Sequence, residues 1–168
     1  MAKLFNAAKL LPTFVEMYQL NLPSFEFKLR KNESGGEVYD FIRKKFIKLT
    51  PEEWVRQHWL QTLVQHYQCP AGRISVEKAL SYNQTSRRTD VVVYDDHAKA
   101  LLILELKAPE VNLDEKTCEQ IAIYNTSLKV PWLLISNGIQ HFCFKVDFHQ
   151  SKCQLVEELP DYHQMQQP

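Results

Sequence analysis

Residues 89–107, "TDVVVYDDHAKALLILELK", decide how this chain folds. Two apolar runs flank the polar tract "DDHAK", which reads as a strand, a tight turn and an antiparallel return strand. Residues that face each other across a hairpin have a constant sum of numbers. A turn centred near residue 97 gives a sum between 193 and 195, so Asp90 falls opposite a residue between 103 and 105, close to Glu105. Strand side chains repeat every two residues, so Glu105 and Lys107 share a face. A strand whose body, "LLIL", is bound for the core therefore ends on a carboxylate and an ammonium, with a second carboxylate across the hairpin.

Working outward, "LTPEEWVRQHWLQTLVQHY" (49–67) predicts a helix. Thr50 is its N-cap, Pro51 suits the first helical position, and Glu53 at the third completes a capping box. Trp54, Val55, Trp59, Leu60, Leu63 and Val64 give it a wide apolar stripe. "RISVEKAL" (73–80) predicts a short strand and "SYNQTSRR" (81–88) a loop. After the hairpin, "LDEKTCEQIAIYNTSLK" (113–129) predicts a second helix, and "VPWLLIS" and "QHFCFKVDF" predict strands joined by an Asn137-Gly138 turn. "KCQLVEEL" adds a candidate edge strand. The second helix serves as a crossover, so the strand after it pairs in parallel with the strand before it. Upstream, the alternation in "LNLPSFEFKLRK", the turn signal "NESGGE" and "VYDFIRKKFIKL" suggest a hairpin outside the main core.

These elements divide the chain into residues 1–48, an N-terminal segment with a β-hairpin extension; residues 49–160, a mixed α/β domain; and residues 161–168, a frayed tail. The start, "MAKLFNAAKLLPTFVEM", is a poor signal peptide, with Glu16 inside it and no small-residue cleavage site. It reads as a peripheral amphipathic segment, with Met17 an alternative start.

The bulk properties are those of a globular chain: 168 residues, 45% hydrophobic and 24% charged. Twenty basic and twenty acidic residues cancel to a formal net charge of zero, so a polyanionic partner must meet a local patch. Such patches are "KLRK", "RKKFIK" and "SRRT". The four cysteines form no CxxC pair and have no zinc spacing, which predicts reduced thiols and a cytoplasmic setting. The six histidines form no metal-ligand spacing either. No run is long and apolar enough for a membrane helix, and no membrane association is expected.

Two carboxylates brought together are costly unless something positive sits between them. A hard divalent cation with oxygen ligands suits the place: Mg²⁺ takes one or two carboxylates, keeps several waters and borrows phosphate oxygens. Lys107 can orient or deprotonate the attacking water, or stabilise developing negative charge. E-x-K triplets are commonly surface ion pairs. Here the triplet closes an apolar strand opposite an acid, which is the outline of a metal-dependent phosphodiester-cleaving site. Arg87 and Arg88, just before Asp90, are placed to hold phosphates. Glu77 is a further acid on a neighbouring strand, also explained as a solvated residue.

The pattern D-(x)14-E-x-K between two helices resembles the PD-(D/E)xK nuclease superfamily. More narrowly, "LTPEEWVRQ", "RRTDVVVYD", "LLILELKAPE", "QIAIYN" and "ISNG", spread over residues 20–162, are similar to the N-terminal nuclease domain of the R subunit of type I restriction enzymes, above all to small stand-alone bacterial forms. The resemblance implies a restriction-endonuclease-like mixed β-sheet of about five core strands flanked by helices. It implies that Asp90 and Glu105 are metal ligands for Mg²⁺ or Mn²⁺, that Lys107 is the catalytic lysine, and that Glu53, with Glu52 as the substitute, completes the site. The match at Glu53 rests on E-x-x-R with Arg56. The family's Q-x-x-x-Y motif falls on Gln120 and Tyr124, one helical turn apart, and implies DNA contact. Thr89 stands where the superfamily name has proline. No helicase motor motif is present.

The expected activity is therefore metal-dependent hydrolysis of DNA. Two alternatives differ in kind: a DNA-binding module without chemistry, and a nuclease subunit active only in a larger restriction or defence complex with helicase subunits. A homodimer would suit double-strand cleavage by symmetry.

Overall fold

The computed structural model describes residues 19–33, 35–82, 85–125, 128–150 and 152–167; the expectations for the first 18 residues lie outside them. The central hairpin is β5 (Thr85–Tyr94) and β6 (Ala100–Leu106). Its ladder pairs Val91 with Leu104, Val92 with Ile103 and Val93 with Leu102, so the numbers sum to 195. Extended one step, that register sets Asp90 opposite Glu105.

Around this hairpin lies a six-stranded sheet in the order β4-β5-β6-β7-β8-β9, where β4 is Ile74–Tyr82, β7 is Trp132–Ser136, β8 is His141–Asp147 and β9 is Lys152–Val156. Neighbours are antiparallel except β6 and β7, which run parallel from Leu102–Trp132 to Leu106–Ser136. The crossover between them carries α2 (Glu115–Asn125), as a parallel connection requires. The mixed α/β architecture is thus present, with six strands where about five were expected. The tract "SYNQTSRR" is not the expected loop. β4 and β5 continue through most of it, pairing Leu80 with Arg87 and Ala79 with Arg88. Two strands that satisfy each other's backbone groups override polar composition.

The first helix, α1 (Pro51–Gln65), begins as its sequence dictates: the Thr50 side chain accepts from Glu53 N. It carries no charged side chain after Arg56, and it is buried on several faces. Val55, Trp59, Leu60 and Leu63 pack on one face of the large sheet, against Val91, Val93, Leu102, Leu104 and Leu134. The opposite sheet face, with Ile103, Leu133, Ile135 and Phe144, is covered by α2 through Cys118 and Ala122.

Trp54 of α1 points the other way, into a third cluster with Val38 and Leu49. That cluster belongs to a separate three-stranded antiparallel sheet of β1 (Leu29–Asn32), β2 (Gly35–Asp40) and β3 (Lys45–Lys48). The expected N-terminal hairpin is there, extended by β3 from the basic run. Phe27 closes the seam, its ring centroid 5.0 Å from Trp54 and 4.7 Å from His58.

The tail expected to fray is ordered at Tyr162–Met165, here α3. Asp161 and Gln164 form a reciprocal capping box, Tyr162 N donates to Tyr67 O, and Tyr162 and Met165 are buried. The signal D-x-x-Q was present in the sequence. All four cysteines are free, and burial pushes the Cys69 thiol up to about 12 and those of Cys118 and Cys143 to about 11. No helix among the described residues is long and apolar enough to cross a membrane.

Candidate active site

Asp90 stands near the middle of β5, where the β4–β5 ladder is interrupted. Val76 pairs with Val91 and Lys78 with Thr89, and Glu77 between them has φ of 53°. That left-handed residue breaks the regular pairing directly across from Asp90. Asp90 Oδ2 accepts from Leu106 N at 2.8 Å and Oδ1 accepts from Arg56 Nη2 at 2.9 Å. Its side chain is 21% exposed, so solvent and ligands reach it. Glu105, its hairpin neighbour, is buried at 6% exposure. β6 ends at Leu106, and Lys107 N continues the parallel ladder by donating to Ser136 O at 2.9 Å. The Lys107 ammonium forms no salt bridge among the described residues.

The first turn of α1 closes the site on the other side, and here the structure corrects a local reading. Glu53 does not spend its carboxylate on a capping box. It is buried, and it accepts from Arg43 Nη2 at 2.7 Å, from Gln57 Nε2 at 2.9 Å, and from Arg56 Nη1. Arg56 also donates to Glu52 Oε1 at 2.9 Å, so its one guanidinium joins Glu52, Glu53 and Asp90. Burial alone would lower the Arg56 pKa; Glu53, Asp90 and Glu52 outweigh it and hold the pKa above its ordinary value. Arg56 is therefore a fixed positive charge.

In the sequence Arg43 stands out only as part of a basic run. It sits in the β2–β3 turn and donates to Asp40 Oδ2 at 2.6 Å, to Glu53, and to Glu77 Oε2 at 3.1 Å. Asp40 is fully buried and also accepts from Ile42 N, Arg43 N and Gln57 Nε2. Two arginines thus knit the small sheet, α1, β4 and β5 into one network. Glu52 and Glu53, four and three residues before Arg56 on the helix, hint at its role; nothing in the sequence pairs Arg43 with Glu53.

The other expected residues are placed as follows. Gln120 is exposed on α2. Tyr124 lies one turn further along α2, and Arg87 and Arg88 lie on β5, but the side chains of these three are outside the described residues. Asn137 and Gly138 form the turn between β7 and β8, where Asn137 Oδ1 accepts from Ile139 N and Gln140 N at 2.9 and 2.7 Å.

A hard divalent cation fits the donor set in kind. Asp90 and Glu105 offer carboxylate oxygens from adjacent strands, and no group of three or more His, Cys, Asp or Glu among the described residues is arranged to hold a metal. Two protein carboxylates, with water and phosphate completing the shell, is a coordination that Mg²⁺ accepts.

A mixed six-stranded sheet with a helix packed on each face defines the class, an α/β domain. The family model "Type I restriction enzyme R protein N terminus (HSDR_N)" matches residues 51–160, and the chain belongs to that family. Among solved structures, it is similar to "the fragment structure of a putative HsdR subunit of a type I restriction enzyme" from Vibrio vulnificus YJ016, at 14% identity and a TM-score of 0.47, over 70% of this chain and 24% of that one. It is also similar to "a putative nuclease belonging to DUF820" from Anabaena variabilis ATCC 29413, at 12% identity and a TM-score of 0.39, over 78% of this chain and 81% of that one. The chain thus spans about a quarter of the HsdR chain (24%) and most of the smaller protein. No curated protein matches.

Proposed function

We propose that this chain is a metal-dependent deoxyribonuclease of the restriction type. The observation that carries the reading is the hairpin register: its ladder runs to Val91–Leu104, one step short of Asp90 and Glu105, and Lys107 follows directly after β6. Asp90 and Glu105 would hold Mg²⁺ or Mn²⁺. Such an ion, when bound, makes water a better nucleophile and offsets charge on a phosphoryl oxygen.

The chain's own residues do the rest. Lys107 Nζ, which forms no salt bridge among the described residues, holds the attacking water and the developing negative charge. The water oxygen bonds to phosphorus, one P–O ester bond breaks, and the departing oxygen takes up a proton. Glu53 acts through Arg56, which fixes the Asp90 carboxylate and keeps one oxygen edge oriented. Gln120, Tyr124, Arg87 and Arg88 would contact DNA around the site.

Incubation of the purified chain with plasmid, linear and single-stranded DNA in Mg²⁺ or Mn²⁺ tests the reading. Cleavage is expected, with Lys107→Ala reducing it about 100-fold or more. No cleavage of any DNA, together with no heat of Mn²⁺ binding by calorimetry, sinks it and leaves the DNA-binding module. A second reading follows from the family itself, which is the N terminus of a larger restriction subunit. On that reading the site is active beside helicase or specificity partners in the cytoplasm. Cleavage that appears only when such partners co-purify would distinguish it, and sedimentation would report a homodimer.

A further inference from the structure

The three-stranded sheet, at residues 29–48, lies outside the family match at 51–160. One of its faces is accounted for: Leu29, Val38 and Ile47 point at Trp54 and Leu49. The other face is built differently. Its register gives two cross-strand rows, Arg30–Glu37–Lys48 and Lys28–Tyr39–Phe46, with Tyr39 N donating to Lys28 O at 2.9 Å. Tyr39 and Phe46 are half-buried neighbours, their centroids 5.2 Å apart. Lys28 Nζ lies 5.7 Å from the Tyr39 ring centre, and the Arg30 guanidinium lies 4.0 Å from that of Phe46, held in place by Glu37. Lys28, Arg30 and Lys48 are exposed.

Residues 28–48 carry seven basic and three acidic side chains, a surplus of four positive charges in a chain whose formal net charge is zero. Of those seven, Arg43 alone is consumed by the internal network with Glu53 and Glu77. The same arginine holds the β2–β3 end of the sheet against the candidate site, so the row Lys28–Tyr39–Phe46 is the one nearer to it.

We propose that this outer face binds single-stranded nucleic acid. The cations would take the phosphates, and the Tyr39 and Phe46 platform would take unstacked bases. Cations interleaved with aromatics on a sheet face suit single strands, whose bases present π-faces. A duplex hides those faces, and an acidic peptide would use the charges while leaving the rings without a role. Nucleic acid as the ligand is taken from the reading above, but the test is made in EDTA, so failure of cleavage and failure of this surface are separate results.

The experiment measures fluorescence anisotropy of a labelled oligothymidylate of about 20 nucleotides, and of a duplex of equal length, with the full chain. Lys28→Glu with Lys48→Glu is expected to weaken oligothymidylate binding about tenfold or more and to flatten its salt dependence. Tyr39→Leu, which keeps packing against Phe46, is expected to weaken the single strand about fivefold and the duplex less. Lys99→Glu with Lys152→Glu, both exposed elsewhere, should change little. If the Lys28/Lys48 variant keeps its circular dichroism and binds as tightly as the wild type, the proposal is overturned. It is equally overturned if Tyr39→Leu affects duplex and single strand alike, or if heparin binding falls in step with oligothymidylate in both variants.

Discussion

Arg56 and Asp90 meet across elements that the sequence separates by 34 residues: Arg56 Nη2 donates to Asp90 Oδ1 at 2.9 Å while Nη1 engages Glu53. The arginine is 6% exposed at its side chain, so its own charge is largely withdrawn from water. Removing one partner of a buried ionic network strands the others. Arg56→Ala should therefore lower the unfolding free energy by about 3 kcal/mol, read by urea denaturation. Arg56→Lys should recover only part of that, because an ammonium cannot span three carboxylates as a planar fork does. An unchanged midpoint for Arg56→Ala would contradict the role given to it.

Arg43 makes a similar prediction for the small sheet. Its guanidinium reaches Asp40, Glu53 and Glu77 from the β2–β3 turn. Arg43→Ala should destabilise by about 2 kcal/mol, and amide exchange should quicken in residues 35–48 more than in β6 and β7. Uniform exchange throughout the chain would show that the small sheet does not depend on this contact.

Gly138 is constrained twice. Its φ is +85°, and a Cβ there would meet Leu20 Cδ2 at 2.8 Å and Val55 Cγ2 at 3.0 Å. Its carbonyl also accepts from Asn21 N at 2.7 Å. Gly138→Ala is expected to cost about 1–3 kcal/mol through backbone strain and overpacking. Thermal melting of the variant tests this, and a melting point equal to that of the wild type would refute it.

Two histidines, His58 and His141, are expected to weaken the fold as the pH falls. Burial lowers the pKa of His141 and of His58 below the ordinary 6.5, against backbone hydrogen bonds to Asn21 and Trp54 that raise it. His141 Nε2 lies 3.0 Å from Asn21 O, which only accepts, so Nε2 carries the proton and Nδ1 takes the Ser136 hydroxyl at 2.8 Å. Ser136 Oγ in turn accepts from Trp59 Nε1 and Gly138 N. As pH falls below about 6.5 the unfolded chain takes protons before the folded one, and stability present above that pH is lost toward the lower folded pKa. Denaturation midpoints should drop between pH 7 and pH 5.5, and His141→Gln should shallow the slope. A slope unaltered by that change would place the effect elsewhere.

Much of the large sheet could be read from local pattern. The apolar runs on either side of "DDHAK" fix a hairpin, and its register follows from counting: the observed ladder sums to 195, within the range the turn allows. The second helix between two apolar strands required a parallel crossover. Thr50 and Pro51 marked the start of α1. Polar composition misleads where tertiary context supplies the partners. "SYNQTSRR" is polar, yet its two halves pair with each other. "PDYHQMQQP" is polar, yet Tyr162 and Met165 find a groove beside Tyr67.

By itself, the sequence determined the hairpin, its register and the crossover, because strand alternation and turn length act over a few residues. Only the tertiary structure decided what Glu53 does and where Arg43 and Arg56 belong. Their partners lie on other elements, and a carboxylate chooses among cations by distance in space. The same is true of the small sheet: its basic run became two rows of cations and aromatics only when three strands came into register and one face was committed to Trp54.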